Sequence, residues 1–486
     1  MESDKDNGVI YTGSDDGLVY ITKNGGKEWT NITPKDLGEA LINAIEVSPH
    51  NPAVVYIAAT KYKVNDFTPF IYKSNDYGNT WTKIVNGIPY GAFTKVVRED
   101  DQRKGLLYAG TETGLYVSYD EGANWKNLQL NLPVVPITDL RVHQGNLIAA
   151  TQGRAFWVLD DLQPIRSYNS GQTGNNNIIP VVNAYRLSGY SMFDGNNITE
   201  TTNPITTSAN PSTGAVVYYH LNDQADSIKS LKLFVKNTSG DVIRSFSNKA
   251  PEKKTSNNSI QNEPRLTVKK GLNRFVWDLR RMDMPTIDNV YIEGNYNGGK
   301  IAPGKYTIVI DIDGKQQSVP FVLNADPRLK STPADYAKQD ELLQKVEKDV
   351  TDIHVAVVRM RNLSKQIQTL VNLVDGDNTK DELVKKAKSI IDKLSSWEEQ
   401  LIQPKSQAYD DVINFVNKLS ANYIFVHGEA NSTIPYITEG HVARYNELHQ
   451  EWMKYWNEME TLMKTDVAGL NELVKTLKVD HVMLPE

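Results

Sequence analysis

The stretch Ser74-Asn-Asp-Tyr-Gly-Asn-Thr-Trp81 decides how this chain is read, because it recurs. Thr22-Lys-Asn-Gly-Gly-Lys-Glu-Trp29 and Ser118-Tyr-Asp-Glu-Gly-Ala-Asn-Trp125 share its plan: a hydroxyl residue first, Asp or Asn third, Gly fifth and Trp eighth. That plan predicts a tight hairpin turn. The hydroxyls of Ser74 and Ser118 and the carboxylates of Asp76 and Asp120 can bond backbone N–H groups across the turn, and Gly78 and Gly122 supply a positive φ. Trp81 and Trp125 are left to pack between neighbouring sheets. Asn24, Gly26 and Trp29 hold the same places in the first copy. Each copy follows a β-rich run, namely Gly8–Gly13, Ala53–Ala59 and Gly105–Gly110, and then a strand that enters the motif. A fourth unit, Asn146–Thr151 then Phe156–Asp161, keeps the strands and an Asp but has no Gly or Trp after it. The Trp-to-Trp spacings of 52 and 44 residues are the pitch of a four-stranded propeller blade.

These positions resemble the Asp-box, or BNR repeat, of sialidases, sortilin-type ectodomains and two-propeller xyloglucan hydrolases. The resemblance implies that the boxes lie on outer hairpins away from a binding face, so Asp76 and Asp120 read as structural rather than as paired acids. Asp66–Ser74, Gly105–Ser118 and Ala150–Asp161 look like large bacterial BNR-repeat proteins labelled glycosyl hydrolase or sortilin-like. The resemblance implies the C-terminal half of such a protein, with upstream blades, in the same chain or a partner, completing the ring. It also implies an exported, extracytoplasmic protein. One departure is Gln152, where that family often has His.

Composition bounds the alternatives. The 486 residues are 40% hydrophobic and 23% charged with a formal net charge of −6, so there is core to bury and no basic excess to hold nucleic acid. No apolar run reaches membrane-spanning length, and the start Met1-Glu-Ser-Asp-Lys-Asp-Asn-Gly8 has no signal-peptide pattern. The absence of cysteine removes disulfides, thiolate metal sites and cysteine nucleophiles.

Beyond the repeats, residues 166–210 are rich in Asn, Ser, Thr and Gly and read as a linker and surface segment. Alternating strands resume in Ala215–Leu221, Leu231–Val235, Val242–Phe246, Gly271–Leu279, Gly304–Ile310 and Val319–Val322, the pattern of an immunoglobulin-like β-sandwich over residues 211–328. This part resembles the Ig-like module of flagellar-hook capping proteins. Ala250–Glu263 reads as a long mobile loop. From Thr332 the period changes. Leu343, Val346, Val350, Ile353, Val357 and Met360 form one helical stripe, Leu383 to Leu401 a second and Tyr445 to Leu462 a third. An antiparallel helical bundle over residues 329–486 follows. The expected fold is therefore multidomain, mainly β then α: a partial Asp-box propeller over residues 1–165, a linker, a sandwich and a bundle.

Chemistry is sparse. His441 and His449 lack a zinc-protease spacing, and no nucleophile elbow, phosphate loop or dinucleotide fingerprint occurs, so neither a metal nor a cofactor is expected. Glycoside hydrolysis needs two carboxylates across a cleft, and Asp66, Glu99, Asp100, Asp101, Glu112 and Asp139 qualify only by type. A sialidase would need a cluster of arginines, and residues 1–165 hold only Arg98, Arg103, Arg141 and Arg154. Asp66, beside an aromatic-rich strand, and Arg154, in a turn after Gly153, are the residues assigned to a binding face. The expected function is recognition of a glycan or peptide, with no catalytic residue identified. The alternatives are a glycoside hydrolase whose acids lie partly in upstream blades, and a scaffold of a surface or secretion complex.

Overall fold

The chain divides into two compact units, residues 1–170 and 171–486. The computed structural model describes residues 1–3, 5–168, 176–187, 212–222, 225–249, 264–374 and 376–479. The loop expected at Ala250–Glu263 lies outside the described residues.

The first unit is a succession of four meander sheets. The first holds β1 (Ile10–Gly13), β2 (Val19–Thr22) and β3 (Thr30–Asn31), and the second β4 (Leu41–Val47), β5 (Val55–Lys61), β6 (Asp66–Ser74) and β7 (Thr82–Lys83). The third holds β8 (Thr94–Glu99), β9 (Leu107–Thr111), β10 (Gly114–Ser118) and β11 (Lys126–Asn127). The fourth holds β12 (Ile137–His143), β13 (Asn146–Thr151) and β14 (Phe156–Leu159), after which the chain enters α1 (Gln163–Arg166). Within each sheet sequence neighbours pair antiparallel.

The sheets pack face to face, which explains why their middle strands are continuously apolar rather than alternating. In β5, Val55, Ile57 and Ala59 enter the core shared with the first sheet, while Tyr56 and Ala58 enter the core shared with the third. A further core joins the third and fourth sheets through Tyr108, Leu140 and Leu147. Gly110 lies at a close approach of the third and fourth sheets, since a Cβ there would overlap both Val96 and Ile137. This is a propeller-type arrangement, with each sheet a blade.

The three boxes close identically. The first-position hydroxyl accepts the N–H of the box glycine: Thr22 from Gly26 at 3.0 Å, Ser74 from Gly78 at 2.8 Å and Ser118 from Gly122 at 2.9 Å. The third-position oxygen accepts the N–H of the seventh residue: Asn24 from Glu28, Asp76 from Thr80 and Asp120 from Asn124. Gly78 and Gly122 stand at φ 87° and 90°. The turn that leads into β5 and into β9 also recurs ahead of β1. Ser48 N–H donates to Val54 O at 2.9 Å, Asp100 N–H to Leu106 O at 2.9 Å, and Ser3 N–H to Val9 O at 3.0 Å.

The second unit holds two sheets on one core. One has the order β15 (Asn177–Ile178), β17 (Ala215–Leu221), β20 (Gly271–Trp277). The other runs β16 (Ala184–Arg186), β22 (Lys315–Ala325), β21 (Gly304–Ile312), β18 (Leu231–Lys236), β19 (Val242–Ser247). Trp277, Phe275, Phe321 and Leu233 fill the space between them. The stretch read as a linker therefore contributes β15 and β16, the latter parallel to β22. These strands of two and three residues are too short to leave an alternation in the sequence.

Helices follow: α2 (Pro333–Leu373), α3 (Asp381–Leu401), α4 (Asp411–Asn414), α5 (Leu419–Ala430), α6 (Glu439–Leu462), a π-helical turn (Met463–Val467) and α7 (Ala468–Thr476). Thr332 starts α2 with a reciprocal capping box to Asp335, and Pro333 follows it at the first helical position. All six residues of the first expected stripe are buried, and so are the six from Leu383 to Leu401. The same helical core takes Met284, Ile287, Val290 and Ile292 from the segment before β21. Arg281 ties that segment to α2 through Asp340 and, at 2.9 Å, Glu347.

His354 is fully buried on α2. Its Nδ1–H donates to Pro285 O, and its Nε2 lies 2.6 Å from the Ser420 hydroxyl, which can donate to the neutral ring. Burial pulls its pKa down to about 4. The stability this group contributes is full above its unfolded value near 6.5 and is lost as pH falls toward 4. His354→Gln is expected to flatten that part of a pH–stability profile of the full chain. In the first unit, Ser118→Ala strands the buried Gly122 N–H and is expected to cost about 1–3 kcal/mol in denaturant unfolding.

Candidate functional site

Alternation along a meander sorts the connections of the first unit to two ends. The boxes, each ahead of the last strand of its sheet, share one end with the turns that lead into β1, β5, β9 and β13. The loops between second and third strands emerge at the other end, with the connections from one blade to the next. Asp66 opens β6 after the 61–66 loop and Arg154 lies in the β13–β14 turn, so both assigned residues belong to this loop end. They do not contact each other. The Asp66 carboxylate is used locally: bonds from the Thr68 side chain and N–H hold its pKa below the usual range, and Lys61 and Lys83 add to this. Arg154 is exposed, donates to Gly153 O at 3.0 Å and makes no ion pair among the described residues.

What the loop end gathers is aromatic. The 61–66 loop, turned by Asn65 at φ 63°, carries Tyr62, and Phe67 follows at the start of β6. The connection from β7 to β8 brings Tyr90 and Phe93, tied to Phe67 by the Gly91 N–H to Phe67 O bond of 3.0 Å. Tyr62 stacks on Phe93 at 5.4 Å between centroids with planes 21° apart, and Phe67 meets Tyr90 edge-on at 6.4 Å. Tyr90 is 71% exposed and Tyr62 41%, so two tyrosine faces remain in water while the phenylalanines brace them. Lys95 stands beside this cluster, 2.8 Å from Glu112 and 5.6 Å from the Phe93 ring centroid. Phe156, 77% exposed, adds an apolar side chain next to Arg154.

Of these residues Asp66 and Arg154 stood out in the sequence, and Glu112 by its type. The signal for the rest was a pair of aromatic interruptions outside the strand pattern, Tyr62 to Phe67 and Tyr90 to Phe93, 28 residues from Tyr62 to Tyr90.

The other acids considered for hydrolysis are spent on contacts. Asp100 and Asp101 hold Arg166 at 2.9 and 2.7 Å, Asp139 holds Arg98 at 2.7 Å, and Glu99 accepts the Gly105 N–H at 2.8 Å. Glu99 and Asp100 lie at the box end of their blade, away from Asp66 and Glu112.

No family model matches the chain, and no curated protein matches it. Among solved structures it is similar to YCF48 bound to a D1 peptide, at 18% identity over 31% of this chain and 46% of that one, with a TM-score of 0.26. It is similar to the GH74 xyloglucanase from Xanthomonas campestris at 12% identity over 66% and 44%, with a TM-score of 0.28. The extracellular domain of the one-component system BT4673 from B. thetaiotaomicron matches at 10% identity over 66% and 37%, with a TM-score of 0.23. The chain spans less than half the length of each of these three structures. Among the described residues no helix is long and apolar enough to cross a membrane.

Glu46, on β4, connects the blades electrostatically. Burial pushes its pKa up to about 7 in spite of Arg98, whose Nη1 is 3.5 Å away. A carboxyl whose folded pKa is raised contributes stability that is full below its unfolded value and is lost as pH rises through about 7. Glu46→Gln is expected to remove the decline in first-unit stability between pH 5 and 8, measured by urea unfolding at each pH.

Proposed function

We propose that the loop end of the propeller-type unit binds a glycan or an extended peptide, with Tyr62 and Tyr90 as its contact faces. The supporting observation is the exposed aromatic cluster, because two braced tyrosines offer large rigid contact area at little entropic cost. Lys95 and Arg154 supply donors at the margin, and Asp66 shapes the loop that carries Tyr62. The boxes, including Asp76, Asp120 and the Asn24 copy, have a structural role in this reading. No residue is assigned to catalysis.

Residues 211–328 act as an Ig-like spacer and residues 329–486 as an antiparallel bundle that offers further contact surface. Two sheets on one core and helices on another support that division. An extracytoplasmic location follows from the family resemblance.

Calorimetric titration of the full chain with a panel of soluble oligosaccharides and of unstructured peptides tests the reading. Tyr62→Ala and Tyr90→Ala are each expected to weaken the ligand found by about tenfold or more, with the fold unchanged by circular dichroism. A ligand whose affinity is the same for the double variant contradicts it.

A further inference from the structure

Side-chain donors that this fold withdraws from water find acceptors in it. Trp81 Nε1 donates to Ile32 O at 2.6 Å and Trp125 Nε1 to Ile84 O at 2.8 Å, each acceptor in the preceding blade, while the corresponding Trp29 is 43% exposed and needs no protein acceptor. In the second unit two neighbouring side chains break this rule. Arg186, the last residue of β16, is 1% exposed, and its Nε and Nη1 have no hydrogen-bond partner among the described residues. Tyr336, in the first turns of α2, is 2% exposed, and its hydroxyl has none either. The two are in contact, with the Arg186 guanidinium 5.0 Å from the centroid of the Tyr336 ring.

The charge of Arg186 is as poorly matched as its donors. Its Nη2 donates to Gln339 Oε1 at 2.6 Å, a neutral amide whose own nitrogen is taken by Ala430 O and Ser432 O, both at 2.8 Å. The nearby acids are spent on other groups. Asp340 holds Arg281 with one carboxylate oxygen and accepts the Gln344 amide at 2.6 Å with the other. Glu347 holds Arg281 at 2.9 Å, accepts the Gly299 N–H at 2.6 Å and lies 3.1 Å from His427 Nε2. Asp326, one residue past the register partner of Arg186 on β22, pairs with Arg328 at 2.7 Å. Burial pulls the Arg186 pKa below its ordinary value, and Tyr336 and Asp340 offset only part of that. A guanidinium stays protonated all the same. The ring face of Tyr336 compensates some of the charge and none of the N–H groups.

We infer that Arg186 and Tyr336 bind a small monovalent anion of chloride size, enclosed between the end of β16 and the first turns of α2. A buried guanidinium is stabilised by a charged partner, which a water molecule does not supply. Arg186 brings the charge and N–H donors, and Tyr336 brings an O–H donor. Their near-complete enclosure selects against phosphate esters, nucleotides and larger carboxylates, which would have to reach the guanidinium from solvent. The site joins β16 to α2 and, through Gln339, to the carbonyls of Ala430 and Ser432 at the end of α5. Anion binding therefore strengthens the attachment of the β16 sheet to the helices.

Chloride titration of the full chain tests this, with sodium gluconate exchanged for sodium chloride so that ionic strength is constant. Thermal unfolding is followed by the helical circular dichroism signal, which reports the second unit. The midpoint is expected to rise by about 3 °C or more between about 1 and about 300 mM chloride, and bromide is expected to act alike. Arg186→Met, which keeps the aliphatic stem, is expected to remove the dependence. Tyr336→Phe, which keeps the arginine and the ring, is expected to raise the half-saturating chloride concentration about threefold or more. Bromide-soaked crystals are expected to show anomalous density within hydrogen-bond distance of Arg186 Nε or Nη1.

A midpoint that does not respond to chloride overturns the proposal. So does a response of the same size in Arg186→Met, which would be a general salt effect. An unchanged half-saturation in Tyr336→Phe overturns the assignment of Tyr336 as a donor. Where Arg186→Met does not fold, the bromide density decides: density at Arg186 supports the site, and an ordered water there in its place overturns it.

Discussion

The first unit depends on one hydrogen bond made twice, from an indole N–H to a backbone carbonyl in the blade before it. Burial of apolar side chains drives the sheets together but is non-directional. The indole bond is directional and fixes the register. It also satisfies a polar group that would otherwise be carried into the interface without a partner. Trp81 and Trp125 can make it only because the box turn holds them in place, and the turn forms only because a hydroxyl, a carboxylate and a glycine stand at fixed offsets. The chain of cause runs from eight residues of sequence to the stacking of whole sheets.

This local causation explains what the sequence made legible. The box, the strands around it and the helical stripes of α2 and α3 are governed by contacts between near neighbours, so spacing alone reveals them. The aromatic cluster was hidden because Tyr62 and Phe67 come from one loop and Tyr90 and Phe93 from a connection, and neither segment has a period. Strands β15 and β16 were hidden because they gain their hydrogen bonds from partners far away in sequence, Asn177 from the strand of His220 and Ala184 from that of Leu323. Helix α5 escaped notice for another reason: Leu-Ser-Ala-Asn-Tyr-Ile-Phe-Val-His is apolar on several sides, so no stripe stands out. Asp66 was found by its neighbourhood, and in the fold its carboxylate accepts the Thr68 N–H at 2.9 Å at the start of β6.

The two ends of the first unit are chemically distinct. At the box end, acids and arginines are paired with one another and with backbone groups, as in the clasp of Arg166 by Asp100 and Asp101. At the loop end, aromatic faces remain open to water beside Asp66, Lys95 and Arg154. Rigidity is concentrated at the first and accessible contact area at the second, a separation that lets the loops vary without loosening the stack. The boxes therefore explain the architecture, while the tyrosine faces open to water lie at the end the boxes do not occupy.

The most direct test of this account is the solvent exchange of the indole Nε1 protons, resolved by NMR of the full chain with single Trp→Phe variants for assignment. The account predicts strong protection at Trp81 and Trp125 and near-free exchange at Trp29. Equal protection at all three, or free exchange at Trp125, would contradict it.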